Sequence, residues 1–279
     1  MKQKKYKTLP PTRPSIAIER KYKRKLEALI DEMQRSVYWW IRAGYRKREE
    51  EIIAAEDASP ARSLEAEMRR LLKQWNRRYT EQAENIAKWF AGNVDKYTRA
   101  SIRSAFRETG LLKFFTVNFR YHSRREQSIM SSIIAENVSL IKSIPQKYFQ
   151  TIEGMVQRSI QTGRDLSTLS DEIEWLGHST RKRAEMIARD QTDKATESFH
   201  RERMVSLGIT EGVWVHTSAG KTYRESHVQM DGKRYNLAQG CYDPAVGRHI
   251  FPGELVNCRC VCAPVIPDSF AGGSGEENQ

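Results

Sequence analysis

Long apolar runs are missing from this chain of 279 residues. None approaches the roughly 18 apolar residues of a membrane-crossing helix, so no membrane partner is expected. The basic opening MKQKKYKTLPPTRPS is not followed by the apolar core of a secretion signal, which points to a reducing cytoplasm. Cysteine is also scarce, with four in all, too few for a disulfide framework in so long a chain. Three of the four alternate in PGELVNCRCVCAP, residues 252–264. On a strand, Cys258, Cys260 and Cys262 would share one face, about 6–7 Å apart at Cα, at the edge of what a disulfide bridges. Free thiols are the expected state. Internal repeats are absent, as are helix-turn-helix, zinc-finger and RNA-recognition signatures, so no sequence-specific reading of nucleic acid is expected.

Acidic residues are nearly missing from the first 25 positions, where Glu19 stands against ten Lys or Arg. The whole chain carries a net charge of +12 and an isoelectric point near 9.6, which calls for an acidic partner. With Pro10, Pro11 and Pro14 inside it, the stretch 1–14 reads as a flexible basic arm, and Lys2, Lys4, Lys5, Lys7 and Arg13 are its candidate phosphate contacts. At the other end DSFAGGSGEENQ, residues 268–279, reads as a disordered acidic tail.

Between the two ends the texture changes once. Residues 15–178 read as a helical domain. Tyr22, Leu26, Leu29, Met33, Val37, Trp40 and Ile41 recur at steps of three and four, as do Leu64, Met68, Leu71, Trp75, Tyr79, Ile86 and Phe90. The alternating Phe114, Val117 and Phe119 suggest a short strand or a buried linker. A helix with Ile133 and Ile141 is expected to stop before Pro145, and another to end at Gly163. A short helix over 168–177 should precede one from Ser179 to about Met204, closed by Gly208. Residues 179–267 read as a small α+β module of short antiparallel strands. Val213, Val215 and Thr217 alternate against Trp214 and His216, and Asp231-Gly232 is a hairpin signal. The expected fold class is therefore α+β, with helices in the first two thirds.

The polar residues of the last third form an ordered set. Along the chain they are Arg189, Asp190 and Gln191; Trp214 and His216; Arg224 and His227; Asp231 and Gly232; Pro252, Gly253 and Glu254; and Asn257, Cys258, Arg259 and Cys260. Each alone has an ordinary reading, as a packed histidine, a turn or a surface ion pair. Together, ARDQTDKAT, GITEGVWVHTSAGKTYRESHVQMDGKRYNLAQG, PGE and NCRC followed by PV resemble the Mu-F-like family of tailed-bacteriophage minor head, or head-morphogenesis, proteins. The resemblance covers about residues 180–266. Many members carry an acid after the Trp strand, where this chain has Ser218-Ala219-Gly220.

The resemblance implies a non-enzymatic, low-copy component of the phage head. Its partners would be the portal protein and the major capsid or scaffolding protein, and it would be found in the host cytoplasm during assembly and then in the virion head. Non-specific contact with double-stranded phage DNA suits the basic charge. Two other readings stay open. A thiol hydrolase would use His216, His227, Cys258 and Asp231, and a metal-independent nuclease would use Arg189, His216 and His227. No cofactor is the default, but His227, Cys241, Cys258 and Cys260 could hold zinc, against packed free thiols.

Overall fold

Tyr22, Leu26, Leu29, Ile30, Met33, Val37 and Ile41 are all buried on one stripe of α1, Ile16–Ile52. The helix begins where Ser15 Oγ accepts the Ile18 N–H, as an N-cap serine should. The computed structural model describes residues 6–52, 60–113, 123–162, 166–218 and 223–271. Three further long helices follow: α2 (Pro60–Glu108), α3 (Arg124–Thr162) and α4 (Leu166–Ser206). After them come β1 (Glu211–Val215), α5 (Glu225–Gln229), β2 (Arg234–Asn236), β3 (Cys241–Asp243), β4 (Arg248–Ile250), β5 (Val261–Pro264) and α6 (Asp268–Ala271). The expected α+β class holds. Phe114, Val117, Phe119 and Gly163 lie outside the described residues.

Two compact units share these elements. One comprises Arg20–Trp89 and Ile134–Ala188 and is wholly helical in its described residues. Its core joins the α1 stripe to Met68, Leu71, Trp75 and Tyr79 of α2, Ile141, Ile144, Tyr148 and Ile152 of α3, and Leu169, Ile173 and Leu176 of α4. Two expected helix ends are not ends. Pro145 sits inside α3, although an interior proline costs about 3 kcal/mol. The buried Ile141, Ile144, Tyr148, Phe149 and Ile152 carry one stripe straight through it. Each such side chain contributes about 1.5–3 kcal/mol when buried, so packing outweighs the lost hydrogen bond. Likewise α4 runs unbroken through Gly177, where a Cβ would collide with the side chain of Gln34. That glycine permits close approach of α1 and does not stop a helix.

The other unit comprises Met1–Glu19, Phe90–Ile133 and Arg189–Gln279. Here α4 ends as expected, with Gly208 at φ +80° and the Ile209 N–H donating to Met204 O at 2.9 Å. At the start of α3, Ser123 and Glu126 form a reciprocal capping box: Ser123 Oγ accepts the Glu126 N–H at 3.0 Å, and Glu126 Oε2 accepts the Ser123 N–H at 2.9 Å. The other carboxylate oxygen of Glu126 accepts from Arg203 Nε at 2.8 Å. Arg203, only 2% exposed, also donates to Asp95, so α2, α3 and α4 meet in a buried ion triad.

The three-stranded sheet has the order β2-β1-β5, antiparallel throughout, with Trp214 opposite Cys262 and Val213 opposite Ala263. Strands β3 and β4 form a separate hairpin. The two faces of β1 part as the alternation predicts. Trp214 enters the main core with Phe106, Met204, Ile209, Tyr235 and all four cysteines, while Val213 joins Ala263 and Val265 in a small cluster of its own. Residues 6–14, within the stretch expected to be a flexible arm, are instead tied down. Thr8 bridges Val265, the Leu9 N–H donates to Pro264 O at 2.8 Å, and Leu9 is buried at 2% exposure. Tyr97 OH adds a bond to Arg13 O at 3.0 Å. The apolar Leu9 and the unpaired edge of β5 outweigh the local charge and prolines. Residues 1–5, with Lys2, Lys4 and Lys5, lie outside the described residues, while the Lys7 and Arg13 side chains are exposed.

Candidate functional site

The segment from Pro252 to Cys260 supplies most of the site, and it is not a strand until Val261. The sequence suggests one strand through all three alternating cysteines, but Cys258 and Cys260 lie in unpaired backbone ahead of β5. A turn intervenes, with the Cys258 N–H donating to Leu255 O at 2.9 Å and Asn257 at φ +62°. Asparagine is among the few residues that tolerate that region. Asp190 of α4 secures the turn by accepting the Asn257 N–H at 2.8 Å, and Arg189 donates to the Asn257 side chain. Arg224, just before α5, donates to Val256 O at 3.1 Å.

Arg259 points away from the sulfurs. Its guanidinium reaches Glu19 Oε1 and Oε2 at 3.2 and 3.0 Å, and Asp193 Oδ1 at 3.2 Å. Burial pushes the Asp193 carboxyl up to about 8, with Arg259 opposing that rise. Upstream, Glu254 bonds Arg248 at 2.6 Å and caps the Phe251 N–H at 2.8 Å, while Arg201 stacks on Phe251 with its guanidinium 3.6 Å from the ring centre. Gly253 lies against the backbone of Asp193. The buried Gln191 shares this stretch of α4.

On the opposite side Cys258, Cys260 and His227 converge. His227 Nδ1 stands 3.4 Å from Cys258 Sγ and 3.8 Å from Cys260 Sγ. His216 Nδ1, at the mouth of the same small pocket, stands 3.5 Å from Cys260 Sγ. The hydrogen bond between the two thiols raises the Cys258 pKa and lowers that of Cys260, making Cys260 the more acidic sulfur. The Trp214 indole N–H lacks a conventional bond but lies near enough to Cys260 to favour its thiolate. Trp214 itself is fully buried, edge-on to His227 at 5.2 Å and to Tyr235 at 6.3 Å between ring centres.

Two anchors hold this side in place. Asp231 Oδ1 accepts the His216 N–H at 2.8 Å, and Thr217 Oγ1 donates to Arg259 O at 2.6 Å. Asp231-Gly232 is thus a turn, as expected, but it leads from α5 into β2 and does not join two strands directly. The pairing of β1 with β2 spans the whole α5 insertion.

Cys241 is absent from the converging group, although it is buried in the same core. Two residues further on, Asp243 takes the place beside the histidine, with Oδ2 3.4 Å from His227 Nε2. Sequence reading missed Asp243, Asp193 and Glu19. For Asp243 a signal existed in the Asp-Pro turn, where Oδ1 accepts the Ala245 N–H at 2.9 Å. Glu19 carries none, since it sits 240 positions from its partner.

Residues 150–263 match the family described as Phage Mu protein F like protein. The resemblance drawn from NCRC and its companions therefore holds. An uncharacterized protein of Haemophilus influenzae (strain ATCC 51907 / DSM 11121 / KW20 / Rd) is 32% identical over 193 residues, covering 68% of this chain and 41% of that protein. The uncharacterized protein YqbB of Bacillus subtilis (strain 168) is 24% identical over 140 residues, covering 47% of this chain and 46% of that protein. The chain spans less than half the length of either relative. No solved structure matches it. No described helix is long and apolar enough to cross a membrane.

Proposed function

We propose that this chain is a minor head protein of a tailed bacteriophage, a low-copy assembly factor that associates with the portal, enters the prohead and touches the packaged DNA without sequence preference. The match of residues 150–263 to the Mu-F-like family carries this reading. The net charge of +12 supports the DNA contact, since cationic side chains displace counterions from any duplex. A structural role also suits the cluster at His227, Cys258 and Cys260, whose side chains are all buried. Quantitative mass spectrometry of purified proheads and virions tests the proposal. A few copies per portal are expected in proheads, and absence from both particles would sink it.

A further inference from the structure

The unexplained feature is the convergence of two buried thiols and a buried imidazole at one point. Their sulfur–nitrogen distances are 3.4 and 3.8 Å, with a further 3.5 Å from Cys260 to His216. Zinc bonds sulfur at about 2.3 Å and imidazole nitrogen at about 2.0–2.1 Å, so tetrahedral geometry separates the two donors by about 3.5 Å. The observed spacing brackets that edge. A second observation concerns the far side of the ring. His227 is buried, directs Nδ1 at the sulfurs and presents Nε2 to the fully buried Asp243 carboxylate at 3.4 Å. A carboxylate behind a histidine is the usual support of a metal-bound imidazole, fixing its orientation and strengthening it as a ligand.

We propose that Cys258, Cys260 and His227, which already converge, form a structural zinc site that His216, within 3.5 Å of Cys260 alone, completes by shifting inward, clipping the segment ahead of β5 to His216 and to α5. Two thiolates with two imidazoles select zinc over magnesium or calcium. Four protein donors leave no open position for a reacting water, which makes the site structural. The need is plain from the strands, which are only three to five residues long. So little pairing benefits from a staple. Cys241, buried elsewhere in the same core, is not a ligand.

The test uses the full chain, expressed with zinc present and purified without chelator. Elemental analysis should give one zinc per chain, and replacement by Co²⁺ should produce thiolate-to-cobalt charge transfer with the intense visible bands of tetrahedral cobalt. Cys258→Ala and Cys260→Ala should lose the metal, while Cys241→Ala, checked as folded by circular dichroism, should keep it. His216→Gln, at a half-buried position, should fold and bind zinc more than about tenfold more weakly. Should the cysteine variants fail to fold, the wild-type stoichiometry and cobalt spectrum still decide. Wild-type protein without zinc or a thiolate–cobalt band, full metal content in folded Cys258→Ala, or metal loss in folded Cys241→Ala would each overturn the site. The head assignment does not depend on the outcome, because particle mass spectrometry reads it separately.

Discussion

Arg259 and Glu19 lie 240 positions apart and meet through two hydrogen bonds of 3.2 and 3.0 Å, with Asp193 completing the triad at 3.2 Å. Arg259 occupies the position between Cys258 and Cys260, so one segment anchors α1 and α4 with its guanidinium and turns its sulfurs the other way. Replacing Arg259 by Met keeps much of the stem but leaves Asp193 buried without its cation. The expected loss is about 1.5–3 kcal/mol, the range for hydrogen bonds to charged groups. Arg259→Lys should recover only part of it, because an ammonium cannot fork to Glu19. Urea unfolding of the three proteins checks the order.

Arg203 presents a harsher case. It is 2% exposed and is shared by Asp95 and Glu126. Removing one partner from a buried ion group costs about 3–5 kcal/mol; here Asp95 keeps Arg99 at 3.1 Å, and the Glu126 carboxylate is the charge that loses its cation. Arg203→Met should therefore unfold the protein at lower temperature by a wide margin. Adding Asp95→Asn and Glu126→Gln should restore part of the loss, a recovery that mere cavity formation would not show. Thermal melts of the single and triple variants distinguish the two.

How far these contacts could be read from the sequence depends on their range. The α1 stripe, the Gly208 stop and the two faces of β1 follow from local periodicity and were legible. Pro145 and Gly177 misled, because each obeys a local rule that packing overrides: a continuous apolar stripe in one case, the approach of Gln34 in the other. Of the site, the motif residues were visible, but their partners were not. Nothing near Glu19 or Asp95 signals that an arginine in another element will find it. Leu9 likewise looked like one apolar residue in a basic arm, and only the open edge of β5 gives it a place.

His200 should give the protein a titration of its own. Burial, aided by the Arg203 charge, lowers its pKa from the ordinary 6.5 to about 4, and Glu197 stands 4.0 Å away. Burial pushes that carboxyl up to about 8, so it faces His200 largely uncharged at neutral pH. The folded state thus holds a neutral imidazole that the unfolded chain would protonate. The sign follows: the contribution to stability is full above about 6.5 and is lost as pH falls towards about 4. His200→Gln should flatten the decline of stability over that window while changing the value at pH 7.5 much less. Unfolding free energies at half-unit pH steps measure it, and an unchanged slope would remove His200 from the acid response.

DNA binding, finally, should be electrostatic, and the anchoring of residues 6–14 dictates how to test it. Deleting residues 1–14 would strip the Thr8 bridge and the buried Leu9 from the β5 edge, so weaker binding would merely report damage to the fold. Neutralising Lys2, Lys4 and Lys5 to Gln spares that edge. Each phosphate neutralised on a duplex contributes about 0.9 to the slope of log K against log salt. If all three lysines bind phosphate, the triple variant should lower the slope by up to about 2.7 and weaken affinity at low salt, with an unchanged melting temperature. The loss should be equal on duplexes of unrelated sequence, since counterion release carries no base information. Fluorescence anisotropy across a salt series reads both quantities. A slope equal to that of the unaltered chain would move the DNA contact away from these lysines, and affinity indifferent to salt would refute electrostatic binding altogether.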